Sequence, residues 1–164
     1  MGKWHVDETY IKVKGEWMYL YRAIDKGGAT VDFLFSRTRN LKEAKRFFRR
    51  AYARHGLPVQ VTIDGSQTNL EAARTCHAEV RMRDRPDTAP LKVRQSQYMN
   101  NRIEQDHRRI KRRIRPMLGF KSERTAAIIL GGIELVHMIR KGQMISANDA
   151  RDPSLAEQFN RLAA

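Results

Sequence analysis

The sequence has one cysteine, Cys76, among 164 residues. No intrachain disulfide can form, a zinc knuckle is excluded, and a reducing cytoplasm suits such a composition. No stretch approaches the roughly 20 apolar residues of a membrane-spanning helix. The opening Met1-Gly2-Lys3-Trp4-His5 lacks an apolar signal region, and Val6 stands where a myristoylation pattern wants Ser or Thr. Acidic residues are also scarce, with 18 Asp plus Glu against 32 Lys plus Arg, a net charge of +14. A surplus that large points to a polyanionic partner, and nucleic acid is the usual one. The length suits one core. We expect a domain over residues 1–143 and a helical tail over 144–164, where Pro153-Ser154 opens a short helix.

What is present has two periods. Trp4–Val13, Trp17–Asp25 and Thr30–Phe35 mix aromatic and β-branched residues as strands do, separated by turns at Lys14-Gly15-Glu16 and Lys26-Gly27-Gly28. From Leu41 to Arg54 the apolar residues recur at helical spacing behind an Asn40 N-cap. Val59–Asp64 reads as a fourth strand, Thr68–Ala78 as a helix, and Val80–Met82 as a last strand. Arg83–Leu91 reads as a loop, Asn101–Arg115 as a basic helix, and Ser122–Arg140 as an apolar one. This is an α/β order, a mixed five-stranded sheet flanked by helices, and it resembles the RNase H-like (retroviral integrase-like) fold.

Three acids occupy positions that such a sheet brings together. Asp7 lies inside the first strand, where Asp is disfavoured. Asp64 closes the fourth strand before Gly65, and Glu104 sits near the start of the basic helix. Each alone is an ordinary turn or surface residue; their order and context lift the set above its parts. Three carboxylates suit hard Mg²⁺, and two such ions about 4 Å apart promote phosphodiester displacement. Glu104, His107, Arg108 and Lys111 fall at i, i+3, i+4 and i+7, one helix face. A carboxylate followed by cations along that stripe can hold metal and grip phosphates. Solvated basic surface is the plainer reading for Arg109, Arg113 and Arg115.

Longer strings sharpen this. Trp4 through Trp17 with Tyr19–Asp25, Asn100 through Arg112, Arg115 through Ser122, and Gly132 through Gln143 resemble bacterial insertion-sequence transposases of family six. The resemblance covers roughly residues 4–143. It implies a DDE transposase core that nicks and joins DNA during transposition of a mobile element, with Asp7, Asp64 and Glu104 as catalytic metal ligands. It implies Lys111 as the basic residue two helical turns after the glutamate. With Arg108, Arg112 and His107 we read it as contacting DNA. Mg²⁺ is the implied cofactor, with Mn²⁺ possible. Double-stranded DNA, at element ends and target, is the implied partner of a homodimer or larger assembly at the bacterial nucleoid. Family members usually carry a helix-turn-helix ahead of the core, whereas here the first strand begins near residue 4. The Asp64-Gly65-Ser66-Gln67-Thr68-Asn69 stretch is also less like the family, and the Arg83–Leu91 loop is somewhat long. The alternative is thus an inactive truncated remnant, a basic DNA-binding domain only; Phe47, Phe48 and the tyrosines could offer it stacking surfaces, but their helical and strand spacing reads as core.

A third reading comes from another class. Glu104-x-x-His107 and Glu134-x-x-His137, with Glu43 and Glu71, match the residue types of a di-iron four-helix site. Strands in the first forty residues count against it. Gly119-Phe120-Lys121-Ser122 lacks the upstream glycine of a phosphate loop.

Overall fold

The computed structural model describes residues 2–143. Three antiparallel strands come first: β1 (Lys3–Val13), β2 (Glu16–Asp25) and β3 (Thr30–Ser36). Lys14 and Gly15 join β1 to β2 in a two-residue turn with φ 49° and 78°, the positive-φ pair that a tight hairpin requires. Helix α1 (Leu41–His55) follows, with Asn40 accepting from the Glu43 amide and Gly56 ending the last turn at φ 80°. Strand β4 (Gln60–Ile63), helix α2 (Gln67–Asp84), strand β5 (Lys92–Gln95), helix α3 (Asn101–Ile114) and helix α4 (Glu123–Arg140) complete the described chain. The tail helix expected after Pro153 lies outside the described residues.

The sheet order is β3-β2-β1-β4-β5, with β4 parallel to β1 and β5 parallel to β4. Alternation sorts β1 onto two cores. Trp4 and Val6 pack with Tyr21, Phe47, Tyr52 and Ala73 beneath α1 and α2. Ile11 and Val13 pack with Leu20, Ile110, Ala126 and Leu130 beneath α3 and α4. Helices therefore cover both faces, as two separate apolar faces on one sheet demand.

Two sequence expectations need correction. Val80–Met82 is not a strand; it belongs to α2. Val80 lies four residues past Cys76 and continues the buried stripe of Ala72, Ala73 and Cys76, so helical packing overrides its β-branched preference. The fifth strand is Lys92-Val93-Arg94-Gln95, whose single apolar residue gave no alternation to read. Backbone pairing to β4 holds it at the sheet edge. Among the described residues, no helix is long and apolar enough to cross a membrane.

Candidate metal and DNA site

Strand pairing brings the two aspartates together. His5 of β1 sits opposite Thr62 of β4 in parallel register, so Asp7 and Asp64 each lie two residues further toward the same sheet end. Asp64 stands just beyond β4, and its Oδ1 accepts from the Ser66 amide at 3.0 Å. Ser66 in turn caps α2. The turn reading and the site reading of Asp64 are therefore compatible. Asp7 points to the opposite face from Val6, toward α3, which carries Glu104 in its first turn.

Electrostatics joins the three. Burial first, then the charges of Glu8 and Asp64, push the Asp7 carboxyl up to about 7; Glu104 adds to the rise, and a hydrogen bond from the Glu8 backbone opposes it. Asp7 thus sits in the field of both other acids. Among the described residues, however, no three His, Cys, Asp or Glu side chains form a ready-built metal cage. The donor set still suits a divalent cation. All three are hard oxygen ligands, and burial together with neighbouring carboxylates disfavours the charged form of Asp7, a cost that a bound cation would relieve.

The basic stripe of α3 divides. Arg108 and Arg112 are exposed, as a phosphate contact requires, and Lys111 is half-buried and within the field of Asp7. Burial and Arg115 lower the Lys111 pKa while Asp7 raises it. His107 corrects the expectation of a surface DNA contact. It is buried, with Nδ1 3.9 Å from Asp7 Oδ2 and Nε2 without a hydrogen-bond partner. Burial, then Arg22, push its pKa down to about 3, so the ring is neutral and packs behind Asp7.

The sequence reading also missed a layer of supporting residues. Glu8, on the other face from Asp7, accepts from Asn69 Nδ2 at 2.8 Å and pairs with Arg39. Beneath α3, fully buried Arg22 of β2 bonds Glu134 of α4, with Nη2 3.1 Å from Oε2, and Asp106 of α3 at 2.6 Å. Asp106 also meets His137 Nε2 at 2.9 Å and Lys141 Nζ at 2.8 Å. Burial opposes its ionisation, yet His137, Arg22 and Lys141 hold the Asp106 carboxyl far below the usual range. This cluster fixes the rotation of α3 two residues from Glu104. An arginine inside the near-continuously apolar β2 was the available signal, since a charge there needs a partner.

The four-helix di-iron arrangement is not formed. Glu43 and Glu71 lie on α1 and α2, across the sheet from α3 and α4, and Glu134 is taken by Arg22.

A family model described as a DDE domain (DDE_Tnp_IS240) matches residues 1–143. The transposase of the insertion sequence-like element IS431mec from Staphylococcus aureus is 40% identical over 140 residues, 85% of this chain and 58% of that relative. The transposase of insertion sequence IS257 in transposon Tn4003, from the same species, gives the same figures. The chain thus spans somewhat over half the length of these curated relatives. Among solved structures, the trimeric form of the HTLV-2 integrase catalytic core domain in complex with magnesium aligns at TM-score 0.58. Identity is 16%, covering 95% of this chain and 94% of that one. The dimeric form aligns at 0.52 with 19% identity, over 71% of each chain. The fold is that of an RNase H-like integrase core, and the chain belongs to the DDE-domain transposases of insertion-sequence family six.

Proposed function

We propose that this chain is the catalytic core of a transposase that cuts and rejoins DNA, with Asp7, Asp64 and Glu104 as the metal-binding acids. The observation that carries this is the β1–β4 register, which sets Asp7 and Asp64 at one sheet end, with Glu104 close enough for its charge to act on Asp7. When bound there, Mg²⁺ (or Mn²⁺) supplies Lewis acidity to the phosphodiester oxygens. The three carboxylates would hold it, and neutral His107 walls off the inner side of Asp7. Lys111, in the field of Asp7, and the exposed Arg108 and Arg112 bind phosphates flanking the cut.

In this reading a water oxygen attacks phosphorus at the element end, and the element's 3′-hydroxyl leaves with a proton. That hydroxyl then attacks a target phosphodiester in line. The new bond joins element 3′-oxygen to target 5′-phosphate, and the target's 3′-oxygen departs. No protein–DNA covalent bond forms. The assembly acts as a dimer or larger on paired element ends, in the bacterial cytoplasm at the nucleoid.

The test mixes the protein with labelled duplex carrying the parent element's end, with and without Mg²⁺ or Mn²⁺, beside Glu104→Gln. Metal-dependent nicking that vanishes in the variant, at nearly unchanged DNA affinity, supports the assignment. Binding without nicking favours the alternative, a basic DNA-binding domain that retains its acids without chemistry. Loss of DNA affinity in Glu104→Gln counts against the role given to Glu104.

A further inference from the structure

The β1–β2 hairpin runs on past the end of β4. Pairing to β4 reaches only His5; past it, the edge of β1 is met by Asn100 at the Val6 carbonyl and by the Phe120 backbone at Lys12 and Lys14. The hairpin face that carries Glu8 then becomes aromatic. Tyr10 pairs across from Tyr19, and Lys12 from Trp17. Nearer the core the same face lies under α1, where Tyr21 stacks on Phe47. Toward the tip the face is open among the described residues: Trp17 is 58% exposed and Tyr10 45%. The Tyr10 ring stands edge-on to Trp17 at 6.1 Å and tilted to Tyr19 at 5.5 Å.

Cations are interleaved with these rings. Lys12 Nζ lies 5.5 Å from the Trp17 ring centroid. Arg39 donates to the Tyr10 hydroxyl at 3.1 Å while pairing with Glu8, and it lies in the field of Asp64. Lys14 follows in the turn, and Glu16 belongs to the opposite face of the hairpin. A purely apolar protein partner would gain little from cations set among the rings. A polyanion carrying flat π faces uses both features.

We propose that Tyr10, Trp17 and Tyr19, with Lys12 and Arg39, form a stacking platform for unpaired nucleotides of the DNA strand leaving the acids. The platform rests on the strand-cutting reading above and adds to it where the flanking strand goes. Tyr10 is three residues from Asp7 along an extended strand, roughly 10 Å, on the opposite sheet face, so the leaving strand reaches the rings by passing over the β1 edge. In a duplex the base faces are already covered by neighbouring bases, so these rings select nucleotides that have left the stack.

The test needs neither metal nor cleavage. Trp4 is buried and Trp17 exposed, so quenching of tryptophan emission reports on Trp17. The probes are a ten-nucleotide oligo-dT, a blunt duplex of equal length and inorganic polyphosphate, with affinities read by competition against dye-labelled oligo-dT. The expected result is strong quenching by oligo-dT, weak quenching by duplex and none by polyphosphate. Trp17→Leu and Tyr10→Leu should each weaken oligo-dT binding roughly tenfold or more, with polyphosphate binding unchanged, while Trp17→Phe restores most of the affinity. Thermal unfolding of each variant shows that it is folded. Equal quenching by duplex and oligo-dT overturns the proposal, as does an unchanged oligo-dT affinity in both Leu variants. A fall in sedimenting mass with no change in oligo-dT affinity makes the patch a protein interface and also overturns it. The two readings separate cleanly: quenching without nicking refutes only the catalytic one, and nicking without quenching refutes only the platform.

Discussion

Asp7 is held in a state that opposes folding. Its carboxyl titrates at about 7 in the folded protein against an ordinary value of 3.8, chiefly from burial and then from Glu8 and Asp64. The unfolded chain therefore gives up this proton first, so folding binds it. The contribution favouring the fold is complete below about pH 4 and is lost as pH rises to about 7, a difference of about 4 kcal/mol. Asp7→Asn should thus raise the melting temperature of the metal-free protein at pH 8, with an advantage that shrinks as pH falls to 4. Calorimetry across that range checks it, and equal melting temperatures at pH 8 would mean that Asp7 carries no such burden. Stability given up at one side chain is what a site prepared for a cation looks like. His107 shows the limit of helix-face reasoning at this scale. Its position at i+3 from Glu104 put it on the right face, but that face turns inward there, so the ring lies beneath Asp7.

At the scale of elements, α3 is the part whose placement matters most to the proposed function, since it carries both Glu104 and Lys111. The Arg22–Asp106–Glu134 cluster places it by tying β2, α3 and α4 together through ions that are almost wholly buried. Removing one member of such a set leaves its partner charged and dry. Glu134→Ala should cost roughly 3–5 kcal/mol in urea unfolding; a loss under about 1 kcal/mol would mean that water reaches Arg22. Asn100 adds a second tie at the start of α3, donating from Nδ2 to the Val6 carbonyl at 3.1 Å. Secondary structure itself was largely legible. The strands near Trp4–Val13 and Thr30–Phe35, and the helix from Leu41, have the periods their burial requires. Strand β5 was not, because an edge strand with one apolar residue owes its form to backbone bonds with β4.

For the whole molecule, the governing quantity is the net charge of +14. DNA binding driven by such a surplus should weaken steeply with salt, with a slope of about −0.9 per phosphate neutralised. Lys111 lies in the field of Asp7, and under the proposed function it meets the strand being cut. Lys111→Ala should reduce the magnitude of that slope by about one. A slope left unchanged in a salt titration by fluorescence anisotropy would remove Lys111 from the interface.

Amino-acid order by itself determined the basic character and the αβ pattern, and its resemblance to the transposase family singled out Asp7, Asp64 and Glu104 as the acids worth watching. These are local properties: period, charge and residue type are written within each element. The tertiary structure decided what lies between elements. It set the parallel β1–β4 register that aligns the aspartates, the burial of His107, and the pairing of Arg22 with Glu134, 112 residues away. Contacts at such separation arise only when the sheet and its two helical layers close, and nothing in either local segment encodes its partner.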